Sequence, residues 1–127
     1  MVAVVLEWRE HVLLLKRSYT VAHDGGKWHC VTGYVEENRQ PLQQAIDELR
    51  EETGLRLVDL VALDEGPVLL LQDEQGRTWP VHTYRAQTHR RRLTLNWEHT
   101  AYRWVRPSRL SRFDGRVSWL DDVIQAV

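Results

Sequence analysis

With 127 residues, 43% of them apolar and 28% charged, the chain has the size and composition of one globular domain, residues 1–127, with a single substantial core. No apolar run approaches the roughly 20 residues that cross a bilayer, which excludes a helical membrane protein. The net charge of -1 hides a segregation: residues 1–76 carry 7 Lys and Arg against 14 Asp and Glu, whereas residues 77–116 carry 10 Arg against Glu98 and Asp114.

Two apolar, β-branched runs, Val2–Leu6 and Val12–Lys16, flank the polar stretch Glu7–His11 and predict a hairpin, although no glycine marks its turn. The N-terminal MVAVVLEW has no basic n-region and no small-residue cleavage site, so no secretory signal is expected. Cys30 is alone and can form no internal disulfide, which suits a reducing, cytoplasmic setting; it reads as a small buried residue. Residues 18–27 contain the turn signal Asp24-Gly25-Gly26 and read as a loop, whose Tyr19, His23 and Lys27 are either plain surface or ligand contacts. Lys27–Val31 reads as a strand.

Pro41 to Gly54 predicts a helix, because proline favours the first helical position and glycine the position just past the last. Leu42, Ala45, Ile46 and Leu49 fall on one face, the expected core side. Glu48 stands three and four residues before Glu51 and Glu52, near the C-terminal end of the helix. Like charges at that spacing, at the end where the helix dipole disfavours anions, oppose helix formation. Either this is a solvated acidic face or the three carboxylates serve a hard divalent cation, which takes oxygen ligands.

Beyond the helix, Leu57–Leu63 reads as a strand, Gly66-Pro67 as a break, and 68–86 as a hairpin around the turn Asp73–Arg77. His89-Arg90-Arg91-Arg92 is a basic cluster too short to argue nucleic-acid binding, with no aromatic platform interleaved in the sequence. Ser118 followed by Asp121 resembles a capping box. Trp119, Leu120, Val123, Ile124 and Val127 then recur at helical spacing, predicting a C-terminal helix on the core. Strands interrupted by one helix and closed by another predict a mixed sheet between helices.

Gly33, followed by Glu48-Leu49, Glu51-Glu52, Gly54 and Leu55, resembles the Nudix box, G-x5-E-x7-R-E-U-x-E-E-x-G-U with U a bulky apolar residue. The stretch ELREETGL carries the resemblance. Two positions depart from it: Arg39 stands for the family's first glutamate and Asp47 for its arginine. Both are charge reversals, so the two residues are expected to attract with polarity exchanged. The resemblance implies an α/β/α sandwich with a mixed sheet. It implies divalent-metal-dependent hydrolysis of a pyrophosphate bond in a nucleoside diphosphate joined to another group. Glu48, Glu51 and Glu52 would hold Mg²⁺ or Mn²⁺ together with the backbone carbonyl of Thr32, which stands where the family usually has glycine.

The segment Glu98-His99-x-x-Tyr102-x-Trp104-Val105 resembles the region downstream of the box, where a loop glutamate often adds a metal ligand or base and Trp-Val begins the last strand. Glu98 or Glu48 is therefore the expected base, and Glu98 joins the three box glutamates as a catalytic candidate. An acidic half beside an arginine-rich half suits a polyphosphate, since the guanidinium fork matches phosphate oxygens. Two or three cations are expected to contact substrate, with Arg17, Lys27 and Arg85 the candidates, and Trp28 or Tyr34 could stack on a base.

The implied partner is a small-molecule nucleotide, with a nucleoside triphosphate or dinucleoside polyphosphate favoured over a nucleoside diphosphate sugar. Neither membrane nor nucleic acid is expected. Oligomeric state stays open, a homodimer included. The alternatives are a non-catalytic nucleotide-binding module of the same fold, its site dismantled by the changes at 39 and 47, and a metal-independent interaction domain.

Overall fold

Five consecutive buried residues, Val2–Leu6, make β1 (Val2–Trp8) the strand on which the sheet is built. Successive side chains on a strand point to opposite faces. Val2, Val4 and Leu6 accordingly enter one apolar cluster, and Ala3 and Val5 enter another. The computed structural model describes all 127 residues. Its further elements are β2 (His11–Arg17), β3 (Trp28–His29), β4 (Val31–Gly33), α1 (Pro41–Thr53), β5 (Leu60–Gln72), β6 (Thr78–Thr88), β7 (His99–Val105) and α2 (Leu120–Ala126). Short 3-10 turns occupy Leu57–Asp59 and Pro107–Arg112.

The first hairpin turns on two residues only, Arg9 and Glu10, with φ of 45° and 64°. Two consecutive left-handed residues give the turn whose twist suits a tight antiparallel pair. β1 and β2 pair at Glu7↔Val12 and Trp8↔His11, next to that turn, and then part. The wedge between them is filled from one continuous segment: β3 pairs with β2, the chain steps across at Cys30, and β4 pairs with β1. On the far sides, β7 runs antiparallel to β2 and β6 runs parallel to β1, with β5 outside β6. One parallel pairing among antiparallel ones makes the sheet mixed. The fork delivers Thr32 and Gly33 to the end of the sheet beneath α1.

Each face of the sheet is closed by one helix. Ala45 and Leu49 of α1, with Leu55 beyond it, pack on Val2, Val4, Leu6, Leu13 and Leu15. Leu120 and Val123 of α2 pack on Ala3, Val5, Val12 and Leu14. The result is an α/β/α sandwich, as the resemblance implied. No helix is long and apolar enough to cross a membrane.

Four local expectations need correction. Leu57–Asp59 is a 3-10 turn, so β5 begins at Leu60. Gly66-Pro67 does not end a strand: β5 runs through it with a register shift between Glu65 and Val68. There the Thr83 hydroxyl donates to the Pro67 carbonyl at 2.6 Å. Trp104-Val105 ends β7 and does not open it. Ser118 caps nothing; α2 begins at Leu120 after Trp119, and Arg116 takes Asp121 at 3.1 Å.

Candidate functional site

α1 starts at Pro41 and stops at Gly54, whose φ of 78° turns its N–H back to the Arg50 carbonyl. Its buried side is rotated from the apolar stripe of the sequence. Leu42 is half exposed, while Gln44, Glu48 and Glu52 are buried with Ala45 and Leu49. Two glutamates one turn apart thus point inward at the sheet.

Their surroundings hold them there. Gln44 donates to Glu48 Oε1 at 2.9 Å and accepts the Glu36 N–H at 3.3 Å, tying the helix to the loop before it. The Glu48 carboxyl lies over Gly33: a Cβ at that position would sit 2.2 Å from it, well inside van der Waals contact. The Glu48 and Glu52 carboxyls are close enough to act on each other's ionisation. Burial raises the pKa of Glu48, and burial together with Glu48 raises that of Glu52 well above the ordinary carboxylate value. Glu52 Oε2 is buried with no hydrogen-bond partner, and His99 Nε2 stands 3.5 Å from Glu52 Oε1.

Arg17, Thr32, Gly33, Glu48, Glu51 and Glu98 line one cavity of about 520 Å³, with Glu52 buried behind Glu48. Glu98 precedes β7 and is fixed by Asn96, which donates to its Oε1 at 3.1 Å and accepts its N–H at 3.2 Å. The Glu98 carbonyl accepts the Ser18 N–H at 2.7 Å, joining this loop to the end of β2 and to Arg17. Glu98 adds negative charge felt at both Glu48 and Glu52, and Arg17 opposes it at Glu52.

The other expected cations are not brought to this cavity. The Arg85 guanidinium is held by Glu7, Nε to Oε1 at 2.9 Å and Nη2 to Oε2 at 2.8 Å, outside the lining. Lys27 pairs with Glu74 and, at 3.5 Å, with Asp24, and it too lies outside the lining. Trp28 packs edge-on to Phe113 at 5.4 Å in the apolar layer, whereas Tyr34 lines the cavity. The pairing expected of Arg39 and Asp47 is present: the Arg39 guanidinium donates to Asp47 Oδ2.

His29, Arg77, Trp79, Trp97 and Trp119 also line the cavity, and none of them carries a signal in the sequence that marks it as part of a site. Arg77 and Trp79 arrive because the β5–β6 hairpin reaches past the sheet, and Tyr34 stands 5.3 Å from Trp79. His29 has neither ring nitrogen hydrogen-bonded and meets Trp119 edge-on at 4.4 Å. Burial, then the charge of Arg17, pushes its pKa down to about 3, and that of His99 down to about 4.

No three acidic or imidazole side chains converge into a closed cluster. The donor chemistry nevertheless fits a hard divalent cation. Two buried carboxylates in contact share either a proton or a cation. The acceptor Oε2 of Glu52 lacks a partner, and the donors at hand are carboxylate and carbonyl oxygens, which suit Mg²⁺ and Mn²⁺. Of the buried imidazoles, His29 lines the same cavity and His99 stands beside Glu52.

The NUDIX domain model matches residues 1–127. Octanoyltransferase of Myxococcus xanthus is 39% identical over 101 residues, 74% of this chain; the chain spans about a quarter, 26%, of that protein's length. Among solved structures, a MutT NUDIX hydrolase from Burkholderia pseudomallei superposes with a TM-score of 0.79 at 21% identity, covering 99% of this chain and 95% of that one. The E. coli dihydroneopterin triphosphate pyrophosphohydrolase superposes with a TM-score of 0.74 at 24% identity, covering 98% and 94%. At these identities the superpositions establish the fold.

Proposed function

The chain belongs to the NUDIX family of hydrolases, and on that premise we propose that it hydrolyses a pyrophosphate bond in a nucleoside diphosphate joined to another group. A nucleoside triphosphate or a dinucleoside polyphosphate is the favoured substrate. The observation that carries this reading is the buried Glu48–Glu52 pair, with one oxygen of Glu52 unsatisfied, beside a cavity that also presents Arg17 and Glu98. Nothing in core packing accounts for two carboxylates there, since burying charge costs stability unless a partner compensates it.

Glu48, Glu51, Glu52 and the Thr32 carbonyl would hold Mg²⁺ or Mn²⁺. When bound, the cation supplies charge neutralisation at the phosphate oxygens and a lowered pKa of water. Arg17 offers its guanidinium to the phosphates; its Nε is engaged by the His23 carbonyl at 3.0 Å, which leaves the terminal nitrogens for substrate. The proton of the attacking water passes to Glu48 or Glu98. Glu48 suits this role because its raised pKa brings it closer to neutrality, where a base works best. Glu98 suits it because Asn96 fixes its carboxylate at the cavity wall. Tyr34 and Trp79 provide aromatic surface for the base. The likeness to a triphosphate pyrophosphohydrolase supports the triphosphate reading.

The test is a substrate panel with Mg²⁺ and with Mn²⁺ that reads phosphate against pyrophosphate release. The companion variant is Glu52→Gln. Glutamine keeps the shape of the acid without the charge that burial disfavours there, so melting should move by only a few degrees while kcat falls by orders of magnitude. Equal loss of fold and activity would make Glu52 structural. Nucleotide binding without turnover, at millimolar metal, would favour the non-catalytic binding module. That alternative draws on the departures at Arg39 and Asp47, yet those two residues restore an ion pair.

The reading extends to a cytoplasmic setting, which the lone, buried Cys30 suits. It also extends to a homodimer built on the free edge of β5, where Val61, Val68 and Leu70 are exposed.

A further inference from the structure

The residues between β6 and β7 have no regular structure but are pinned across β7. The Tyr102 hydroxyl accepts the Leu93 N–H at 3.4 Å, and the Trp104 indole donates to the Arg91 carbonyl at 2.9 Å. This pinning carries the basic cluster to the tip of the β1–β2 hairpin, some 80 residues earlier in the chain. There Trp8 stands 5.7 Å from His11 and 5.8 Å from Trp104 between ring centroids. The guanidinium groups of Arg9 and Arg91 lie over the Trp8 ring at 5.2 and 5.5 Å. An open groove of about 680 Å³ results, lined by Trp8, His11, Arg91, Arg92, Arg103 and Trp104 among others and by no carboxylate.

The charge in this groove is uncompensated. Neighbouring Arg90 and Arg106 have acids within reach, Asp59 at 3.7 Å and Glu10 at 3.8 Å. Arg91, Arg92 and Arg103 are exposed and pair with none. Three like charges gathered on one wall repel unless an anion sits among them. The groove is also separate from the cavity of the glutamates: from Glu98 to Trp104 β7 advances roughly 20 Å at the usual rise per residue.

We propose that this groove binds single-stranded nucleic acid, with phosphates on Arg91, Arg92 and Arg103 and bases stacked against the Trp8, His11 and Trp104 rings. A basic track combined with aromatic faces is the arrangement that holds single strands without regard to sequence. An acidic peptide would satisfy the arginines and leave the aromatic wall unused. This site is independent of pyrophosphate hydrolysis and stands or falls apart from it.

The experiment is fluorescence anisotropy with labelled oligo-dT and oligo-U of about a dozen nucleotides on the full chain. Neutralising three phosphates of a single strand predicts a log K against log salt slope near -2, from roughly 0.7 per contact. Arg91→Glu/Arg103→Glu should weaken binding at least about tenfold and flatten that slope, with hydrolysis of small substrates unchanged. Arg92→Ala/Arg103→Ala should do the same more mildly, and it covers the case in which the charge reversal disturbs folding. Trp8→Leu should lose about tenfold of the affinity while keeping the slope, because it removes stacking and not charge. Wild-type binding by both arginine double variants would overturn the proposal. So would equal affinity for an oligoglutamate peptide or inorganic polyphosphate of matched charge, which would make the groove a surface for any polyanion.

Discussion

The contact between Gly33 and Glu48 sets the position of a buried carboxylate through the absence of a side chain. A methyl group there would meet the Glu48 carboxyl at 2.2 Å, so Gly33→Ala must push Glu48 out of its place. Displacing a reacting group by about 1 Å costs about 100-fold in rate, so on the role proposed for Glu48 the Gly33→Ala variant should lose about that much in kcat/KM. Steady-state kinetics with a parallel melting curve check this; full activity would mean that Glu48 finds the same place by another route. His29 makes a different test. Its imidazole titrates near 3 in the folded chain and at 6.5 as its ordinary value. Between those values the unfolded chain takes up a proton that the folded chain refuses, so His29 lowers stability as pH falls from 6.5 toward 3. His29→Phe keeps the contact with Trp119 and removes that penalty. At pH 4.5 the variant should gain about 2–3 kcal/mol relative to its difference from wild type at pH 7.5, read by urea unfolding. No pH dependence in that difference would show that the folded His29 is protonated. His29 gave no sign of itself in the sequence, because a lone histidine in a short strand looks the same whether buried or solvated.

Among the elements, α1 was legible at both ends and misread on its face. Pro41 and Gly54 are local signals whose meaning survives folding. The choice of buried side is tertiary: hydropathy counts Glu48 and Glu52 as outward and Leu42 as inward, and the site reverses all three. The continuity of β5 was hidden for a similar reason. Gly66-Pro67 reads as a break by composition, and only the pairing with Thr83 across the strand shows that the chain passes through with a bulge. Arg39 and Asp47 went the other way. Their opposite departures from the box implied a pair, and the pair is present between the loop and α1. Arg39→Glu with Asp47→Arg should therefore be tolerated better than either change alone. In a double-mutant cycle of unfolding free energies, the coupling should be about 0.5–1 kcal/mol, the modest value of a partly exposed pair. Zero coupling would remove the pair from the account.

Across the whole molecule, the layering follows from β1, whose alternate residues enter the two apolar layers, and the continuous apolar run Val2–Leu6 marks it in the sequence only as a strand. The groupings that give the molecule its sites cannot be read from any one stretch. Arg17, Thr32, Glu48 and Glu98 come from four separate segments, and the groove at Trp8 joins residues 8 and 91. The free edge of β5 belongs to this scale too. A long edge strand with exposed Val61, Val68 and Leu70 offers unpaired backbone to a second copy, and edge lysines are a known guard against such pairing. Leu70→Lys should shift sedimentation from dimer to monomer at micromolar concentration with little change in melting; a wild-type chain that sediments as a monomer would dispose of the dimer.

The cavity has walls of unequal firmness. Its floor is helix and sheet, packed on both apolar layers. One side of its mouth joins the loop before β3 to the tip of the β5–β6 hairpin through Lys27 and Glu74, two solvent-facing groups. A solvent-facing ion pair is worth less than about 1 kcal/mol and weakens with salt. The glutamates proposed as base and cation ligands are thus set in a rigid bed, while the rim that a substrate would pass is latched only lightly. For the proposed hydrolysis this means exactness about where the bond breaks and leniency about what hangs from it.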